Sequence, residues 1–192
     1  MSLEPLFTST AVVAVGEIGD KTQLLAIVLA ARFRRPLPII AGILGATILN
    51  HTLAATLGYL VSDWLSGAAF RVAVGIGFMA MAAWALIPDK ADDEEGLAKS
   101  RGGVFVTALI SFFLVEIGDK TQIATSLLAA RYHQILPVAA GTTLGMLLAD
   151  IPAVLLGEAA TRIVPLRYVR IAAALMFGLI GVWVLLAAFR VV

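Results

Sequence analysis

The chain has no cysteine, which excludes disulfides, thiolate metal sites and thiol redox chemistry. It is also poor in charge. Asp, Glu, Lys and Arg make up 14% of its 192 residues, where soluble domains carry about a quarter. The net charge is +1, with no basic helix and no aromatic–basic stripe, so nucleic acid is excluded as a partner. The opening stretch "MSLEPLFTSTAVVAV" lacks the basic n-region of a secretory signal and reads as the start of a first membrane helix.

What is abundant is apolar surface. The chain is 60% hydrophobic with a mean hydropathy of +0.97, so the expected solvent is lipid. A spanning helix needs about 20 mostly apolar residues, and six stretches qualify: 6–31, 37–61, 69–87, 103–130, 135–158 and 168–189. Turn-like segments separate them, among them "RFRRPLP" with its helix-stopping Pro36 and Pro38. The clearly aqueous segment is the acidic linker 88–102, "PDKADDEEGLAKSRG". It lacks the spacing of an EF-hand calcium loop and reads as solvated chain.

The two halves repeat. A shift of 99 residues lays Glu17 on Glu116, Arg32 on Arg131, Gly42 on Gly141, Gly58 on Gly157, Arg71 on Arg170 and Trp84 on Trp183. Roughly a third of the pairs from 17 to 86 are identical without a gap, beyond compositional accident. The unit is three spans, an odd number, so the second copy crosses the membrane upside down. The expected fold is an all-α integral membrane protein: six transmembrane helices as two inverted three-helix repeats, 1–87 and 103–192. That is a common plan of secondary transporters, with the binding site at the midplane between repeats. The excess of Lys and Arg on loops 1–2, 3–4 and 5–6 predicts that these loops are cytoplasmic and both termini outside.

Inside the first and fourth apolar runs stands the same heptapeptide, "EIGDKTQ", at 17–23 and 116–122. Ionisable groups at this depth are expensive and face a polar cavity or one another. Read as continuous helix, Glu17, Asp20 and Lys21 share one face at i, i+3 and i+4, as do Glu116, Asp119 and Lys120. Gly19 and Gly118 between the acids permit close backbone approach, or a local opening that frees carbonyls for an ion. Each motif has net charge −1, so two brought together match one divalent cation. The four acids are the expected metal ligands. Thr22, Thr121, Gln23 and Gln122 add oxygens, a donor set that suits Mg²⁺, Ca²⁺ or Mn²⁺ rather than Zn²⁺ or Cu²⁺. Clustered carboxylates in a low dielectric take up protons once the ion leaves. Metal and protons thus compete for the same oxygens, and that competition couples cation export to proton import. Lys21 and Lys120 keep a carboxylate charged or hold the unloaded site neutral. A purely structural ion-pair lock needs one acid per base, and buried pairs stabilise poorly; here there are two acids per base. Asn50 and His51 in the second span, and Asp150 in the fifth, are further mid-span polar groups, and the 99-residue shift lays His51 on Asp150.

The doubled E-x-G-D-K-T motif in opposite halves resembles the small cation/proton exchangers grouped as uncharacterised protein family 0016, which includes Golgi and bacterial manganese or calcium exchangers. The resemblance covers nearly the whole chain. It implies transport of Mn²⁺ and/or Ca²⁺ out of the cytoplasm against protons by alternating access, with no resident cofactor. The motif carries over onto Glu17, Gly19, Asp20, Lys21 and Thr22, and onto Glu116, Gly118, Asp119, Lys120 and Thr121. The short length resembles a prokaryotic member in the plasma membrane, as a multi-pass protein for which a homo-oligomer is allowed. Two other readings compete: an exporter of a cationic amino acid or similar metabolite, and an intramembrane di-aspartyl enzyme using Asp20 and Asp119. The first would favour aromatic walls that the motif region lacks. The second would require glycine where Glu17 and Glu116 stand.

Overall fold

The structure is a computed structural model that describes residues 3–64, 67–87, 103–157 and 166–189. The linker 88–102 and Glu158 lie outside the described residues. The described residues form eight α-helices and no strand: α1 (Glu4–Glu17), α2 (Lys21–Phe33), α3 (Pro36–Trp64), α4 (Ala68–Ala85), α5 (Gly103–Glu116), α6 (Lys120–Tyr132), α7 (Leu136–Leu156) and α8 (Leu166–Ala188). Four of them, α3, α4, α7 and α8, are long and apolar enough to cross a membrane. Large apolar side chains such as Leu57, Leu148, Leu175 and Leu179 point outward, as expected of a surface solvated by lipid.

Two of the six expected spans are not single helices. The runs 6–31 and 103–130 are each split, into α1 and α2 and into α5 and α6, with the break inside the EIGDKTQ heptapeptide. At 1.5 Å per residue each piece is only about 20 Å long, too short alone for a hydrocarbon core of about 30 Å. The bounds of α1 and α2 recur 99 residues later as those of α5 and α6. Both α2 and α6 end on a left-handed residue, Arg34 and His133, again at equivalent positions.

Helices of one half pack mainly on helices of the other. α3 lies against α5 and α6, α7 against α1 and α2, and α4 against α8. Small residues allow the close crossings. A Cβ on Gly42 would stand 2.6 Å from Ala108 Cβ, and one on Gly145 would stand 2.6 Å from the Thr10 carbonyl oxygen. One apolar cluster gathers Phe78, Met81, Leu128 and Phe177. Another gathers Leu29, Ile43, Phe112 and Ala153. Phe78 and Phe177, equivalent under the 99-residue shift, stack with ring centroids 6.5 Å apart. The interlocked packing brings the two breaks together in the protein interior.

Candidate metal centre

The break is written in the heptapeptide. Ile18 at φ −64°, ψ 115° followed by Gly19 at φ 80° is the signature of a type II turn, whose third residue must take positive φ. The Asp20 N–H closes it on the Glu17 carbonyl at 3.1 Å. The second copy does the same, with Gly118 at φ 76° and the Asp119 N–H on the Glu116 carbonyl at 3.1 Å. The aspartates then sit at the N-caps of α2 and α6, where their extended backbone starts a new helix. Asp20 Oδ1 accepts from the Lys21 N–H at 2.7 Å. The glutamines explain the seventh position. Gln23 Oε1 accepts from the Gly19 N–H at 2.8 Å, and Gln122 Oε1 accepts from the Gly118 N–H at 2.7 Å. Each reaches back from its helix's first turn to satisfy a donor freed by the break, as in a capping box.

The single-face arrangement expected of continuous helices is therefore corrected. Glu17 ends one helix and Asp20 begins the next, because a left-handed glycine cannot continue an α-helix. Gly19 and Gly118 take the other course open to them, the local opening of the backbone.

Three acids converge from the two breaks. Glu17, Asp20 and Asp119 each offer a carboxylate oxygen within 4.8 Å of the other two, and all three side chains are buried. The hydroxyls of Thr22 and Thr121, one from each motif, both donate to the Glu17 carboxylate. Lys21 Nζ bridges to Asp119 Oδ1 at 2.9 Å, so it pairs with the opposite motif's acid. Lys120 Nζ donates to the Ile87 carbonyl at 3.2 Å and lies 5.8 Å from the centre of the Trp84 ring. Glu116 is set apart from the trio. It is buried against His51, with Nε2 to Oε1 at 3.8 Å. Asp150 is fully buried and within electrostatic reach of both Glu17 and Glu116.

Among the described residues, both carboxylate oxygens of Glu116 and of Asp150, both ring nitrogens of His51 and Asp119 Oδ2 are buried without a hydrogen-bond partner. Such orphans are rare in folded proteins, and here they gather around the two helix breaks. The carbonyl ends of α1 and α5 also terminate beside it, and helix C-termini favour positive charge. Asn50 Nδ2 donates to the Phe113 carbonyl in the last turn of α5 at 3.1 Å. Gln23 Nε2 donates to the Ala149 carbonyl of α7 at 3.1 Å. Both bonds tie a break to a long helix of the other half.

A cavity of ≈ 40 Å³ reaches the cluster. Its lining includes Ile87, Arg170, Asp20 and Thr121, and it is large enough for water. A second cavity of ≈ 360 Å³ is lined by Ser62, Arg71, Arg131, His133 and Trp183. Reasoning from sequence missed that Arg71 and Arg170 each line a cavity; their coincidence under the 99-residue shift was the available signal. It also missed the Phe113 and Ala149 carbonyls, because backbone groups carry no residue signature.

Comparison with known proteins gives the chain a family. The family described as "Divalent cation/proton antiporter GDT1" matches residues 5–93 and 104–191, two stretches that start 99 residues apart. The chain belongs to the GDT1 family. Its membership makes it one of a family of membrane antiporters rather than enzymes, which sets the di-aspartyl enzyme reading aside. Among GDT1-family relatives, a protein of Vibrio cholerae serotype O1 named "Putative manganese exporter" is 51% identical over 177 residues, covering 92% of this chain and 88% of that protein. The GDT1-like protein sll0615 of Synechocystis is 28% identical, covering 88% and 91%. GDT1-like protein 5 of Arabidopsis thaliana is 27% identical, covering 96% of each. No solved structure matches.

Proposed function

We propose that this GDT1-family chain exports Mn²⁺ and/or Ca²⁺ from the cytoplasm in exchange for protons, by alternating access at the buried carboxylate cluster. The convergence of Glu17, Asp20 and Asp119 from two helix breaks carries the reading. Broken helices that meet at mid-depth are how secondary transporters build ion sites, and an oxygen cluster of this kind suits a hard or borderline divalent ion. The name of the Vibrio relative favours Mn²⁺.

The working unit in this reading is a pair of inverted three-helix repeats, 1–87 and 103–192, joined by the acidic linker 88–102. The broken pairs α1–α2 and α5–α6 serve as one span each. Arg71 and Arg170, equivalent in sequence, lining separate cavities supports the inversion. With the basic loops cytoplasmic, the cavity lined by Ile87, Arg170 and Asp20 is the inward access path. The Lys21–Asp119 bridge then closes the opposite side. Glu17, Asp20 and Asp119 hold the ion, while Thr22 and Thr121 orient Glu17. When the ion leaves toward the outside, protons replace it on the same oxygens, because an uncompensated carboxylate cluster in this environment is too costly to reorient.

The test is metal uptake into inside-out proteoliposomes with an imposed pH gradient, with Mn²⁺ and Ca²⁺ assayed separately. Gradient-driven uptake by wild type, lost in Asp20→Asn and Asp119→Asn, is the expected result. Folded wild-type protein that moves neither ion would overturn the proposal.

A further inference from the structure

His51 is left without a task by an oxygen-only account of the site. It lies mid-way along α3 and is fully buried. Among the described residues neither ring nitrogen has a hydrogen-bond partner, and neither oxygen of the facing Glu116 has one. Each such orphan is costly if nothing ever satisfies it. Their separation of 3.8 Å is too long for a hydrogen bond. It does suit two ligands of one ion. Ligand atoms about 2.2 Å from a shared metal stand about 3.1 Å apart at a right angle and about 4.4 Å apart in line. The two halves differ at this point: the residue equivalent to His51 is Asp150, a nitrogen donor in one half and an oxygen donor in the other.

We propose that His51 Nε2, together with Glu116, ligates the transported cation during its passage and makes the carrier select Mn²⁺ over Ca²⁺. This rests on the antiporter reading above. Ca²⁺ and Mg²⁺ take oxygen ligands, whereas imidazole suits transition metals. A nitrogen beside a carboxylate cluster therefore adds affinity for Mn²⁺ and little for Ca²⁺. The carboxylates of Glu17, Asp20 and Asp119 supply the charge that either ion needs; His51 supplies the discrimination.

Mn²⁺ is paramagnetic, so its ligands can be read directly. The full chain in lipid nanodiscs is loaded with Mn²⁺ alone and examined by electron spin-echo envelope modulation, with natural and ¹⁵N-labelled histidine. The protein has two histidines; the other, His133, is exposed and packs on Tyr59 with ring centres 4.3 Å apart. The expected result is nitrogen modulation that changes on ¹⁵N-histidine labelling, persists in His133→Gln and disappears in His51→Asn. In proteoliposomes His51→Asn is expected to lose at least tenfold in its Mn²⁺ over Ca²⁺ transport ratio. Bound Mn²⁺ without histidine modulation in wild type would overturn the inference while leaving the antiporter intact, and that comparison needs no variant to fold. Modulation surviving in His51→Asn, or an unchanged ratio, would overturn it as well. Failure of wild type to bind or move Mn²⁺ would remove the Mn²⁺ reading and this inference with it.

Discussion

Replacing Gly118 with alanine tests the helix break, on which the rest of the site depends. Gly118 sits at φ 76°, and a Cβ built there meets nothing among the described residues within 4 Å. The penalty is therefore purely conformational, about 1–2 kcal/mol for an L-residue held in the left-handed region. Straightening α5 into α6 would relieve it, but would put Glu116, Asp119 and Lys120 on one helical face and pull Asp119 from the trio. At tenfold per 1.4 kcal/mol, the broken form loses about five- to thirtyfold in population against that competitor. Gly178→Ala in α8 is the matched control. It adds the same methyl, meets only Ala82 Cβ at an ordinary 3.9 Å, and gains about 0.5–1 kcal/mol from helix propensity. Mn²⁺ uptake under a pH gradient, with thermal unfolding in detergent alongside, reads both effects. The expected outcome is uptake lowered in Gly118→Ala, by up to about thirtyfold, with Gly178→Ala transporting as wild type and unfolding slightly later. If the two variants behave alike in both assays, the left-handed turn is refuted.

Lowering the pH on the loading side is expected to raise the apparent KM for Mn²⁺ and leave Vmax unchanged at saturating metal. In the proposed mechanism protons and metal compete for the same oxygens, so affinity falls as pH falls; a KM flat between pH 8 and pH 6 contradicts shared ligands. Two protons replace the charge of one divalent ion, so exchange is expected to be electroneutral. Initial rates in potassium-loaded vesicles should then ignore a valinomycin potential, and a strong dependence on that potential excludes this stoichiometry. Gly58→Ala would drive a Cβ into the Ser126 carbonyl across the α3–α6 crossing, and overpacking of this kind costs about 1–3 kcal/mol. A lowered thermal midpoint in detergent is expected, and a midpoint equal to wild type would contradict the close crossing.

Much of this protein is legible without coordinates. Composition alone names lipid as the solvent, because 14% charged residues over 192 positions leave too little polar surface for water. The 99-residue repeat and the twin heptapeptides are visible by alignment of the chain with itself. The excess of acid over base in each motif points to a cation. The structure brings three of the four motif acids, Glu17, Asp20 and Asp119, within ligand distance.

What the sequence concealed was the path of the backbone and the choice of partner. Hydropathy reads 6–31 and 103–130 as unbroken spans because the break occupies only three residues in each and leaves the apolar runs on both sides intact. Gly19 and Gly118 are compatible with a helix or with a turn; the interlocked packing of α3 on α5 and α6, and of α7 on α1 and α2, decides for the turn. Partner choice is likewise a tertiary matter. Lys21 is nearest in sequence to Asp20, yet its ammonium rests on Asp119; Gln23 reaches the Ala149 carbonyl, and His51 faces Glu116 of the other half. Local sequence determines which groups are buried and how each turn is made. Only the docking of one half into the other sets which charges meet, because electrostatic attraction at a few ångströms depends on distance in space and not along the chain.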